Sequence, residues 1–309
     1  MFTRQLWSIL VITLAVQCQP VADRPARQPT ALPDYTTPTV DQVHALFARA
    51  HTEHLPLLTA HRGGPDLHYP ENAMETLQRI VDSIPIMLEV DIALSADSVL
   101  CLFHDASLDR LTQHEGLVKE RMWSDLDTMR LFDHAGNLTH YTIPILAEVL
   151  TAFRDKTILW LDIKRGVPMH KVVAEVQAHQ AQSDVVYIVY NAHDAYAIYE
   201  IDPTALLSVR LTDSSISEQL AQLGVPRDNC LSFMGTSLAA KADLSRIREL
   251  EVPTILGTLG KLDQQAANDS DTLYRHWHAL GYDIFSTDRP FAAFEVLYEA
   301  TDITTTAKQ

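Results

Sequence analysis

From about residue 40 onward, short β-branched apolar runs alternate with stretches whose apolar residues recur at helical spacing. Nine runs read as strands: LLTAH (57–61), IMLEVDIA (86–93), VLCLFH (99–104), TILWLDIK (157–164), VVYIVYN (185–191), ALLSVRL (205–211), CLSFMG (230–235), PTILGTLG (253–260) and DIFSTD (283–288). Amphipathic segments lie between most of them. One, ENAMETLQRIVDS, puts Met74, Leu77, Ile80 and Val81 on a single helical face. Strands alternating with helices build parallel βαβ units. Eight such units over about 250 residues make a TIM (β/α)8 barrel, an α/β fold; a doubly wound open sheet is the rival. Nine candidates are one too many. The turn SADS (95–98) is too short for a helical crossover, so the second and third strands form a hairpin or the barrel is distorted there. CLSFMG is the other doubtful member. Residues 106–141 show no clear strand and read as an insertion of helix and loop.

Barrel enzymes place their sites at the C-terminal ends of the strands. Here the first strand ends in His61 and Arg62, the second carries Glu89 and Asp91, the third ends in His104 and Asp105, and the fourth carries Asp162 and Lys164. Residues at i and i+2 point to the same side of a strand. Leu88, Val90 and Ile92 take the opposite face, so Glu89 and Asp91 point inward together. An inward acid pair is costly unless it is paired or holds a cation. Singly these features are weak, since a lone strand-end histidine is most often structural. Four consecutive strand ends bearing a charge or an imidazole argue for one shared site.

Glu89, Asp91 and Asp162 are all oxygen donors, which suit Mg²⁺ or Ca²⁺. A Zn²⁺ ion using His61 is the alternative. Three carboxylates around one divalent ion leave a charge of about −1. Arg62 and Lys164 restore a positive balance and offer donors to a phosphate. Two imidazoles beside a cation-held phosphate suit acid–base cleavage of a P–O bond.

The stretches HRG (61–63), PEN (70–72), LEVD (88–91), FHDASLDRLT (103–112), IPILAEVL (143–150), LDIK (161–164) and STDRP (286–290) together resemble the glycerophosphodiester phosphodiesterase family, within the phosphatidylinositol phospholipase C-like phosphodiesterase superfamily. The resemblance is dense over residues 57–165 and thin afterwards. It implies a TIM barrel, one divalent cation, and hydrolysis of glycerophosphodiesters to glycerol phosphate and an alcohol. Carried over by position, it makes His61 and His104 the acid–base pair and Glu89, Asp91 and Asp162 the metal ligands. Arg62 and Lys164 would contact phosphate, Glu71 would brace its loop through Arg62 rather than touch the metal, and Asp105 would orient its loop or its neighbour.

Two departures bear on substrate. The family usually has glutamate where Asp162 stands, so the cation must shift or a water must bridge. Sphingomyelinase-D-like enzymes carry aspartate there, which keeps a phospholipase acting on intact or lyso-phospholipids, including a phosphoinositide lyase, as an alternative. A non-catalytic headgroup-binding protein is the other. The family's late tryptophan-containing strand motif is missing; ILGTLGKLD (255–263) occupies that region, with Lys261 read as an exposed lysine. Trp160 shares its strand face with Asp162 and is expected to fill the barrel beneath it. Tyr190 and Asn191, ending the fifth strand, are candidates to line the cleft.

A net charge of −16 argues against a nucleic-acid binder working through a broad basic surface, but not against a small anionic substrate. At the N-terminus, Arg4 precedes an apolar stretch from Leu6 to Val16, too short to span a bilayer and fitting a signal-peptide core. LAVQC resembles a bacterial lipoprotein signal, with Gln17 in place of the usual small residue. The expected organisation is a signal peptide over 1–18, a tether over 19–40 kept extended by its prolines, and one barrel domain over 41–309. Such a chain is exported to the bacterial periplasm or outer membrane and meets the membrane through lipid on Cys18; ordinary signal cleavage is the alternative. Cys101, inside VLCLF, reads as a small buried hydrophobe, and the lack of a C-x-x-C pair argues against a sulfur-ligated metal.

Overall fold

The structure, a computed structural model, describes residues 32–36 and 39–298. The expected signal peptide and most of the expected tether lie outside the described residues. The strands are β1 (Leu57–Ala60), β2 (Met87–Leu94), β3 (Leu100–Leu102), β4 (Arg130–Phe132), β5 (Leu138–Thr142), β6 (Leu159–Ile163), β7 (Val185–Ile188), β8 (Leu206–Val209), β9 (Cys230–Phe233), β10 (Thr254–Gly257) and β11 (Ile284–Thr287). The helices are α1 (Val40–Glu53), α2 (Met74–Ser83), α3 (Trp123–Leu126), α4 (Leu146–Phe153), α5 (Met169–Ala178), α6 (Ala192–Ile201), α7 (Ser214–Leu223), α8 (Lys241–Glu249), α9 (Lys261–Asn268), α10 (Leu273–Leu280) and α11 (Pro290–Tyr298).

Eight parallel strands close on themselves in the order β1-β11-β10-β9-β8-β7-β6-β2, with β2 pairing back onto β1. This is a TIM barrel, and closure excludes the open sheet. The surplus strand is β3, which pairs antiparallel with β2 as a hairpin and leaves β6 as the next member of the ring. CLSFMG, doubtful in the sequence, is β9 and pairs parallel with both β8 and β10.

The insertion is not helix and loop alone. It carries α3 and a two-stranded antiparallel sheet of β4 and β5. The turn between these strands is held by Asp133, whose carboxylate accepts from the backbone of Ala135 and Asn137, and Gly136 supplies the left-handed residue at φ 79°. Strands reading RLF and LTHYT bury few side chains, so they carry almost no alternation to read.

Inside the barrel the lower layer is apolar. Leu57, Met87, Ile158, Trp160, Val186, Leu206, Leu231, Ile255 and Ile284 converge there, and α1 closes the N-terminal mouth with Val43, Phe47 and Ala50. Trp160 therefore occupies the place expected of it; its ring meets Phe47 edge-on at a centroid separation of 5.9 Å. Thr39 caps α1 by accepting from Gln42 N. Tyr35, within the expected tether, is buried in the same cluster, and its hydroxyl accepts from Leu58 N. The alternate faces of the strands pack outward against the helices, as with Leu88, Val90 and Ile92 of β2. Cys101 and Cys230 are buried free thiols, both pushed up to about 12 by burial.

Candidate active site

The register of two parallel strands builds the centre of the site. Asp91 of β2 lies directly beside Asp162 of β6, and Glu89 lies one inward step below Asp91. One carboxylate oxygen from each falls within 4.8 Å of the others, and all three side chains are buried. Burial, with the Asp91 charge beside it, pushes the Glu89 carboxyl up to about 8. Lys164, just past β6, reaches back along the same face to Asp162 Oδ2 at 2.6 Å and Asp91 Oδ1 at 2.7 Å. Burial opposes its charge, but the two aspartates outweigh that and raise its pKa.

At the end of β1 the chain turns sharply through HRGG. Arg62 and the two glycines all adopt left-handed backbone conformations. A Cβ on Gly63 would come within 2.4 Å of Leu77 Cδ2, so only glycine lets the loop lie against α2. The turn aims Arg62 N at Glu89 Oε2, which accepts at 2.7 Å, and sends the guanidinium to Glu71 at 3.0 Å with Asp91 at 3.7 Å. Glu71 is buried and lies outside the three-carboxylate group. Burial pushes its carboxyl up, yet Arg110, His134 and Arg62 hold it well below the usual carboxylate range.

Both histidines are backed by a carboxylate. His61 Nδ1 bonds Asp288 at 2.7 Å and His104 Nδ1 bonds Asp105 at 2.6 Å, so a carboxylate orients each ring from its Nδ1 side. Burial works against the His61 imidazolium, but Asp288 and Glu89 raise its pKa above the usual histidine value. Phe103 N donates to Asp91 O, which fixes the His104 loop to the strand carrying the carboxylates.

Sequence reasoning missed three members of this network. Asn72, the last residue of PEN, donates to Asp91 Oδ2 and accepts from Asp91 N, a two-point clamp. Arg110 of the insertion spans the site, donating to Asp105 at 2.7 Å and to both oxygens of Glu71. Asp288 of STDRP orients His61 and is itself held by Gly260 N at 3.0 Å. Asn72, Arg110 and Asp288 all sit inside quoted motifs, which was the available signal. Of the two cleft candidates on the fifth strand, Tyr190 donates its hydroxyl to Asp162 Oδ1 at 2.7 Å. Asn191 instead caps α6, accepting from Asp194 N. Lys261 is exposed at the start of α9.

Three buried carboxylates this close need a positive partner, and one lysine and one arginine shared with other acids are a partial one. The donors are all oxygen, and among the described residues no imidazole joins the group. That set fits a hard divalent cation such as Mg²⁺ or Ca²⁺ and gives no support to a zinc ligand at His61.

Residues 61–249 match the Glycerophosphoryl diester phosphodiesterase family. The chain is 26% identical over 165 residues to the glycerophosphodiester phosphodiesterase of Bacillus altitudinis, a match covering 50% of this chain and 66% of that one. It is 25% identical over 154 residues to the glycerophosphodiester phosphodiesterase of Caldanaerobacter subterraneus, covering 48% and 63%. The matched stretches thus span just under two thirds of these relatives. The crystal structure of a glycerophosphoryl diester phosphodiesterase from Parabacteroides distasonis superimposes with a TM-score of 0.79 at 29% identity, over 87% of this chain and 95% of that one. A phosphodiesterase from Oleispira antarctica, solved with its product sn-glycerol-3-phosphate, shares the fold at a TM-score of 0.63 and 19% identity, over 81% and 99%. Since the family match extends over more than half of the chain and takes in every charged strand end but the last, this protein belongs to the glycerophosphoryl diester phosphodiesterase family.

Proposed function

We propose that the protein hydrolyses glycerophosphodiesters to glycerol phosphate and an alcohol, using one divalent cation and two histidines. The observation that carries this reading is the convergence of Glu89, Asp91 and Asp162 within 4.8 Å, next to two histidines each backed by a carboxylate. Family membership supports it, and so does the glycerol phosphate product bound by the Oleispira enzyme. Glu89, Asp91 and Asp162 would hold the cation. Bound there, Mg²⁺ or Ca²⁺ would polarise the phosphoryl oxygens. Arg62 and Lys164 donate to the phosphate and offset its charge. One histidine takes a proton from the nucleophile, either water directly or first the substrate's neighbouring hydroxyl with water then opening the cyclic phosphate, and the other gives one to the leaving alkoxide. Glu71 and Asp105 hold Arg62 and His104 in place.

The test is a panel of glycerophosphocholine, glycerophosphoethanolamine, glycerophosphoinositol and lysophospholipids, assayed with and without EDTA. Glycerophosphodiesters should be cleaved, EDTA should abolish cleavage, and Mg²⁺ or Ca²⁺ should restore it. Turnover that persists in EDTA would favour a lyase; cleavage of lysophospholipids alone would favour the phospholipase alternative. His104→Ala should lower kcat by about 10² or more. Wild-type turnover in that variant would remove His104 from the chemistry.

The same reading includes export and a lipid anchor on Cys18, supported by the apolar stretch Leu6–Val16 and the LAVQC sequence. Cys18→Ala should then move the protein from the membrane fraction to the soluble fraction of the bacterial envelope.

A further inference from the structure

We infer that Tyr190 is a positioning residue for Asp162, so that β7 as well as β6 fixes the third carboxylate of the cluster. The inference deepens the proposed function, because it assigns a holder to a residue that reading gives to the cation.

The register explains why a tyrosine stands there. Asp162 lies level with Ile188, the last residue of β7. Val189 continues the ladder, donating from its N–H to Ser208 O, and its side chain packs outward into the core beneath the helices. Strand alternation then turns Tyr190 to the inner face, two residues above the level of Asp162. Two residues of strand rise about 6–7 Å. Serine or threonine would fall short of Asp162 from that height, whereas a phenol folded back along the strand spans it and bonds Oδ1 at 2.7 Å.

Lys164 occupies the other oxygen, Oδ2. Each carboxylate oxygen carries two lone pairs, so one on each is left for a cation while the side chain is held from both sides. Aspartate needs this support: Asn72 clamps Asp91 and the Arg62 amide holds Glu89, but Asp162 has only these two side-chain partners among the bonds described. Packing does not account for Tyr190. The residue is 65% exposed, the most exposed large hydrophobic side chain described, although its hydroxyl end is inside the cleft.

The high exposure also makes Tyr190→Phe a safe probe of the hydroxyl alone. With the full chain, Mg²⁺ titrated calorimetrically should bind this variant about 10- to 100-fold more weakly than wild type, the range for losing a hydrogen bond to a metal ligand. Cleavage of glycerophosphocholine lost at low Mg²⁺ should return as Mg²⁺ is raised, while KM for the diester at saturating Mg²⁺ stays near wild type. Unchanged Mg²⁺ affinity, or a rate that no Mg²⁺ concentration recovers, would overturn the inference. A second arm is independent of cation and substrate: urea unfolding in EDTA of Tyr190→Phe, Asp162→Ala and the double variant. The two substitutions should be non-additive if the bond is real, and strict additivity would overturn it. If wild type neither binds Mg²⁺ nor cleaves the diester, the proposed function fails, and this cycle still decides the role of Tyr190.

Discussion

Arg110 shows how one side chain can tie a site together. It joins Asp105, which orients His104, to Glu71, which anchors Arg62. Removing it leaves buried Glu71 leaning on Arg62 and a more distant His134. Arg110→Ala should therefore cost about 1–3 kcal/mol at pH 7 and lower kcat about tenfold. The pH dependence follows from the direction of the shift. A carboxyl held below its unfolded value stabilises the fold above the unfolded pKa, near 4.3 for glutamate, and that contribution disappears as pH falls. The stability gap between Arg110→Ala and wild type should thus be full at pH 7 and narrow steadily below about pH 4. A gap as wide at pH 3 as at pH 7 would mean Arg110 acts by packing rather than by charge. Its partner Glu71 lies 39 residues away, Asp288 lies 227 from His61, and Asn72 lies 19 from Asp91. Sequence spacing cannot pair residues so far apart, whereas Glu89 and Asp91 could be paired by strand periodicity alone.

At the level of elements, α1 is the piece that makes the barrel a closed core. Its Val43, Phe47 and Ala50 seal the apolar lower layer, and His51 bonds Asp283 at 2.9 Å just before β11. Burial opposes the Asp283 charge, but His51 and Arg248 hold its carboxyl below the ordinary range. Phe47→Ala should cost about 3–5 kcal/mol, because the ring is buried against Trp160 and neighbouring strands cannot collapse into the gap. Urea unfolding would measure this. Loss below about 1 kcal/mol would show that α1 rests on the barrel without stabilising it. The barrel strands were legible as short apolar runs buried on both faces, and β2 and β6 read cleanly for that reason. The extra hairpin was legible from the length of SADS. β4 and β5 were not: a sheet of two short, half-exposed strands is fixed by the Asp133 turn and by packing of Leu131 beneath it, neither of which imposes a period. Residues 32–36 misled in the opposite sense, since proline spacing said nothing about Tyr35 finding a slot under the barrel.

For the molecule as a whole, the apolar lower barrel pays for an upper layer that works against folding. Glu89 is the clearest case, its carboxyl pushed up by burial and by Asp91. Between the unfolded value near 4.3 and the raised folded value, the native state keeps a proton that the unfolded chain releases. The cation-free protein should accordingly be most stable at the acid side of that window and lose stability as pH climbs through it toward 8. Glutamine keeps the shape and removes the charge. In EDTA at pH 8, Glu89→Gln should melt higher than wild type, by about 2–4 °C for each kcal/mol relieved. With Mg²⁺ the order should reverse: wild type gains about 2.7 kcal/mol at a hundredfold excess over Kd, and the variant, missing a ligand, gains much less. Parallel melting curves in EDTA and Mg²⁺ would read both effects. A chelated Glu89→Gln protein less stable than wild type would show that the carboxylates are satisfied without a cation, and the upper barrel would then be an ion-pair network and not a binding site.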